Sequence, residues 1–233
     1  MTAIPTSLRH DLYRNIHKGL RAAMFDTVLR VGRTDHADAA AMGATLDQAD
    51  RLLTFMGAHV KHENEHVHTA IEAGTPGGAR RTTDDHREHA EHLAVLRAQV
   101  VGTRALAGDA AGHALHQLYL DLSEFVAENL RHMRVEETQN NAQLWFLYGD
   151  AELVAIHDRL LASVEPATMS EAVSWMARGL SLPELVALVT EARATAPAPA
   201  FEAMLALIGL QVEPARWTAL NRALERSDAA LAA

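Results

Sequence analysis

Two histidine–glutamate pairs carry most of the chemistry this sequence can do: His59-x-x-x-Glu63 and His132-x-x-x-Glu136. An α-helix advances about 100° and 1.5 Å per residue, so positions i and i+4 share a face about 6 Å apart. A histidine and a carboxylate at that spacing can reach one metal ion or two adjacent ones. The first pair continues the apolar stripe of Leu52 and Met56, and the second that of Leu118, Leu122 and Phe125. Both are therefore predicted to point into the interior. A buried unpaired carboxylate costs several kcal/mol, and two facing each other cost more. Positive charge has to sit between them.

Fourteen histidines stand in a chain with no cysteine, and histidine is the commonest metal-binding side chain near neutral pH. The stripe His10, Tyr13, His17, Leu20, Met24 sets His17 inward on a first helix. On a third helix His89 heads the stripe Leu93, Leu96, Val100, with His86 and His92 flanking it at about 60°. His66 falls on the inward stripe with Glu63 and Ala70. A further pair, His68-x-x-x-Glu72, lies nine residues beyond His59, about 180° around the helix, and is predicted to face solvent. One inward histidine on each of four helices, with an inward glutamate on two, gives four imidazoles and two carboxylates. That set fits a pair of divalent metals with bridging carboxylates and an open coordination position.

The elements that must hold these residues are helical almost throughout, because apolar residues recur at three-to-four spacing. A first helix is predicted from Leu8 to Val31. A second starts at the capping box Thr45-Leu-Asp-Gln48 and runs to Ala73. Gly74-Thr-Pro-Gly-Gly78 forms a loop, a third helix spans Thr82 to Leu106, and a fourth runs from His113 to Leu147. The reading is all-α: an up-down-up-down four-helix bundle over residues 1–150. Residues 151–233 form a helical C-terminal extension with capping boxes at Thr168-Met-Ser-Glu171 and Ser181-Leu-Pro-Glu184, and carry no chemical motif. That extension is a candidate surface for a protein partner or a homo-oligomer.

The chain carries a formal net charge of −9 and no basic run, which argues against nucleic acid and anionic membranes as partners. No apolar stretch approaches the roughly 18 residues that span a bilayer, and Met1 to His10 lacks a signal-peptide character. A soluble cytoplasmic protein is expected.

Taken together, these residues resemble the hemerythrin-like HHE cation-binding family over residues 8–147. The resemblance rests on Ile16-His-Lys-Gly-Leu-Arg21, His59-Val-Lys-His-Glu63, Glu88-His-Ala-Glu-His-Leu93 and His132-Met-Arg-Val-Glu-Glu137. It implies a non-haem di-iron centre of two iron ions, with His17, His59, His89 and His132 as ligands and Glu63 and Glu136 as bridges. It further implies a small diatomic or peroxide ligand (dioxygen, nitric oxide or peroxide) in a dry pocket lined by Leu20, Met24, Met56 and Phe125. Oxygen-carrying relatives place two ligand histidines four apart on the third helix; here the positions four from His89 are Asp85 and Leu93. Either His86 or His92 is the fifth ligand, or the site has only four histidines and an extra open coordination position. Two other classes stay open: a ferritin-like di-iron oxidase built on Glu63-x-x-His66, and a non-catalytic helical interaction protein with zinc or no metal.

Overall fold

The computed structural model describes residues 9–231, and every regular element among them is helical. In chain order these are α1 (Arg14–Arg33), α2 (Ala39–His62), a π-helical segment π1 (Glu63–His68), α3 (Thr69–Gly74), α4 (Arg80–Arg104), α5 (Gly108–Val135), a second π-helical segment π2 (Glu136–Asn140) and α6 (Asn141–Leu147). The chain continues through α7 (Asp150–Ser163), α8 (Pro166–Gly179), α9 (Leu182–Thr195), α10 (Ala198–Gln211) and α11 (Pro214–Leu231). α2, π1 and α3 run on as one long helix, as do α5, π2 and α6. Among the described residues no helix is long and apolar enough to cross a membrane.

Local chemistry explains where the helices begin. The Asp11 carboxylate accepts from the backbone N–H groups of Tyr13 and Arg14, and α1 starts there; Leu8, the expected start, lies outside the described residues. Asp38 accepts from the N–H groups of Ala40 and Ala41 at 2.9 and 3.0 Å, so α2 begins at Ala39 rather than at Thr45. Thr45 and Gln48 are instead buried inside the helix. The Gln48 amide is drawn inward by Asp26 at 2.7 Å and by the Arg30 guanidinium at 2.8 Å. Ser181 and Glu184 do form the expected capping box at α9, whereas α8 starts at Pro166 and Glu171 accepts from the Trp175 indole. The turn before α4 passes through Gly77, whose φ of 81° suits glycine. The Glu72 carboxylate holds that turn by accepting from the N–H groups of Gly77 and Ala79.

The chain forms two compact units. Among the described residues the first holds 9–14 and Ala23–Val164; the second holds Asn15–Ala22 of α1 and residues 165–231. In the first unit α2 packs on α4, α4 on α5, α3 on α6 and α7 on π1. This unit runs past Asp150 to Val164 because Leu153 and Ile156 of α7 are buried with Tyr13, Val67, Ile71 and Leu144. Arg9 fastens the same end, bonding Asp150 at 2.7 Å and donating to the carbonyl oxygens of Trp145 and Tyr148. In the second unit α10 packs on α8 and α9, and α11 on α9.

Replacing Leu153, which is fully buried, with Ala is expected to lower the unfolding free energy by roughly 2–5 kcal/mol. The neighbouring Val154→Ala, on the exposed side of α7, is expected to stay within about 0.5 kcal/mol. Urea denaturation of both variants checks this; equal effects would show that α7 does not belong to the core of the first unit.

Candidate metal centre

Glu63 and Glu136 are the first residues of π1 and π2, and both are buried, 3% and 0% exposed. The apolar stripes of α2 and α5 end on them, which is why their carboxylates face the interior rather than solvent. Imidazole nitrogens surround them. His59 Nε2 stands 3.2 Å from Glu63 Oε1, and His86 Nε2 stands 3.4 Å from Glu63 Oε2. Around Glu136, His132 Nε2 lies 3.2 Å from Oε2, while His86 Nε2 and His68 Nε2 lie 3.6 and 3.7 Å from Oε1. Glu63, His86, His132 and Glu136 each offer one ligand atom, all within 4.8 Å of one another; His59, Glu63 and Glu136 meet the same test.

The outer nitrogens of these rings decide what the inner ones present. His86 Nδ1 lies 2.8 Å from Asn64 Oδ1, and His132 Nδ1 lies 3.1 Å from Asp85 Oδ2. Both oxygens can only accept, so each Nδ1 donates and each neutral ring turns a lone pair on Nε2 inward. The two Nε2 atoms approach to 2.9 Å. Lone pairs and carboxylate oxygens thus converge on a common region, an arrangement that repels itself unless a proton or a metal ion lies within it. Oxygen acceptors fixing the far nitrogen are the usual means by which proteins aim ligand histidines.

Charge states follow the same logic. Burial opposes charging His86, yet the carboxylates of Glu136 and Glu63 overcome it and push the ring up to about 9. His132 is raised likewise, against burial, mainly by Glu136. Burial would raise Glu136, but His132, His68 and His86 hold it well below the ordinary carboxylate range. His89 goes the other way: burial, then the neighbouring His132 and His86 charges, push it down to about 4. Tyr13 lies at the edge of the cluster, where the Asn140 amide donates to its hydroxyl at 3.4 Å and to Thr82 Oγ1 at 3.1 Å. Burial and the charges of Glu136 and Glu63 keep its phenol protonated.

Of the residues expected from sequence, the structure brings together His59, Glu63, His132 and Glu136. His17 is fully buried, in the stretch of α1 that belongs to the second unit. His89 is buried beside the cluster, its ring edge-on to His132 with centroids 4.8 Å apart, and belongs to neither group; the α4 ring within the second group is His86. His92 is half exposed and paired with Glu128 at 2.7 Å. Two expectations on the second helix are corrected. His66 does not point into the cluster but lies 3.0 Å from Ser163 Oγ of α7, and His68 does not face solvent but is buried against Glu136. Both errors come from π1, whose wider turn rotates every residue after Glu63 away from the register an α-helix would give. Among the lining of the dry pocket, Met24, Met56 and Phe125 are buried as expected. A cavity of about 250 Å³ reaches His89 and His132, with Asp85, Glu88, Arg131 and Val135 among its walls.

This donor set, two buried carboxylates with imidazole nitrogens turned toward them, is able to hold a metal cation. The family model for the hemerythrin HHE cation-binding domain matches residues 9–143. No curated protein and no solved structure matches the chain.

The metal-free protein is expected to be most stable near pH 6.5. A ring whose pKa is raised from 6.5 to about 9, as in His86, stabilises the fold below pH 6.5 and loses that contribution as pH climbs to 9. A ring held down at about 4, as in His89, stabilises the fold above pH 6.5 and loses it as pH falls toward 4. Urea midpoints of chelator-treated protein from pH 4 to 9 should therefore pass through a maximum. A midpoint still rising between pH 7 and 9 contradicts a charged His86.

Proposed function

The chain belongs to the hemerythrin HHE cation-binding family, and from that premise we propose that it is a non-haem di-iron protein that binds dioxygen, nitric oxide or peroxide at the metal for sensing, binding or scavenging. We assign His59, Glu63 and Glu136 to one ion and Glu63, His86, His132 and Glu136 to the other, with His17 kept as the α1 ligand that the family resemblance implies. Both glutamates then bridge. The four long helical stretches, α1, α2 to α3, α4 and α5 to α6, are assigned an up-down-up-down order, so that each brings at least one ligand to the centre.

The observation that carries this reading is the burial of Glu63 and Glu136 against imidazoles whose outer nitrogens are already bonded to Asn64 and Asp85. Two carboxylates are kept out of water at a cost of several kcal/mol each, and the rings beside them are aimed to donate lone pairs. Zinc prefers four ligands, whereas two bridging carboxylates with four imidazoles supply two ions of higher coordination number. The ferritin-like alternative needs Glu63 and His66 on one face, and His66 is held by Ser163 instead.

When bound, iron supplies the electrons and the open coordination position that a small oxidant or nitric oxide requires. The protein's own part is to orient and to exclude water. Asp85 and Asn64 hold His132 and His86 in place, Met24, Met56 and Phe125 keep the surroundings apolar, and the cavity beside His132 and His89 gives a small molecule a way in. Tyr13 keeps a protonated hydroxyl at the edge of the cluster.

Protein made without an affinity tag in iron-supplied cells is expected to carry about two irons per chain by plasma mass spectrometry. His132→Ala should abolish iron retention while leaving the helical circular-dichroism signal in place. Zinc alone in the wild-type protein, or iron retained by the variant, overturns the assignment.

A further inference from the structure

His68 belongs to neither four-residue group and sits at a position that regular helical register turns toward solvent. The structure nonetheless buries it, 4% exposed, with Nε2 3.7 Å from Glu136 Oε1. That is nearly the distance from His86 Nε2 to the same oxygen, 3.6 Å. The two rings are stacked, with centroids 4.7 Å apart and planes within 15°, so they approach Glu136 side by side.

We propose that His68 is a further ligand of the ion assigned to His86, His132 and the two glutamates, bound through Nε2 and carried into the centre by π1. This rests on the reading that the buried cluster holds two ions. In an α-helix a residue five positions beyond Glu63 stands about 140° away from it. In a π turn the hydrogen bond spans five residues, and position i+5 returns toward the same face. Glu63 and His68 are the first and last residues of π1, so one widened turn lets both reach the same centre. The local bonding fits this turn, since the Thr69 hydroxyl donates to the Asn64 carbonyl oxygen five residues back.

His68 also has the bonding that marks the other two rings. Its Nδ1 lies 3.2 Å from Thr83 Oγ1 on α4, as that of His86 lies against Asn64 and that of His132 against Asp85. With Thr83 accepting from Nδ1, the lone pair on Nε2 faces Glu136. His68 Nε2 is buried and has no hydrogen-bond partner, as expected of an atom placed for a ligand. His89 supplies the contrast. It is equally buried and adjacent to His132, yet its Nδ1 has no oxygen partner, and it contacts the cluster edge-on. Burial near the centre is thus not what singles out His68; orientation is.

The test measures ferrous-ion binding under anaerobic conditions, followed by release to a chelator. Wild-type protein should take up about two Fe(II) per chain, and His68→Ala should lose one of them at least about 100-fold faster, with exogenous imidazole restoring retention. The Co(II)-substituted protein gives an independent readout, since removing one nitrogen ligand alters its visible absorption. Thr83→Val, at an exposed position that tolerates change, should speed loss of the same ion about 10-fold, and it stands in should His68→Ala fail to fold. Two ions taken up by wild type and by both variants, with unchanged release and unchanged Co(II) spectra, overturn the His68 assignment and leave the two-ion centre standing. No Fe(II) uptake by the wild-type protein overturns both.

Discussion

Two carboxylates inside a helical protein are the constraint around which the rest of this molecule is arranged. Glu63 and Glu136 are buried at the ends of apolar stripes, where an uncompensated charge would oppose folding by several kcal/mol. Everything near them answers that cost. Imidazoles approach the carboxylate oxygens at 3.2 to 3.7 Å, and an outer layer of oxygens holds three of those rings from behind. In the metal-free state the compensation is protons: His86 and His132 are raised while Glu136 is lowered. A bound metal cation offers positive charge in the same space without the repulsion between adjacent ring nitrogens. The cluster is therefore at odds with itself when empty of cations and consistent when they are present.

The two π segments are the geometric counterpart of that constraint. Each begins at one of the buried glutamates. A π turn inserts one residue and leaves backbone carbonyls less well paired, and such turns gather at functional sites. Here short polar side chains take up the slack: Thr69 donates to the Asn64 carbonyl, and Thr138 to that of Arg134. Where π2 passes into α6 the adjacent Asn140 and Asn141 are both buried, one bonded to Tyr13 and Thr82, the other to Asp11. The widened turns thus increase the number of polar groups one helix can direct inward over a short length.

Periodicity made the sequence legible wherever the helix is regular, and misled where it is not. His59, Glu63, His132 and Glu136 could be read because each stripe up to the glutamate keeps the 3.6-residue repeat. Beyond Glu63 the same arithmetic sent His68 outward and His66 inward, and the structure reverses both. Nothing in Glu63-Asn-Glu-His-Val-His68 announces a π turn to a count of apolar positions. On α4 the stripe itself was sound, since His89, Leu93, Leu96 and Val100 are all buried. The ring that reaches Glu136 is nevertheless His86, because Asn64 and the two carboxylates capture it from other helices. Such partners are set by tertiary packing and leave no trace in the spacing of one helix. The start of α2 departs from its sequence pattern for a related reason: Thr45 and Gln48 have the form of a capping box, but Asp26 and Arg30 claim the glutamine.

The orienting bonds cross between helices, and that ties the centre to the fold. Asn64 of π1 holds a ring of α4, Asp85 of α4 holds a ring of α5, and Thr83 of α4 holds a ring of π1. No single helix presents a finished set of ligands, so the unfolded chain has nothing comparable to offer a cation. Metal binding of this kind draws its free energy from the same contacts that dock α4 against α2 and α5, and it returns that free energy as stability. Docking aims the lone pairs, and the cation removes the repulsion that docking creates. Each step makes the other favourable, which accounts for a protein that keeps two acids buried where apolar residues would pack more cheaply.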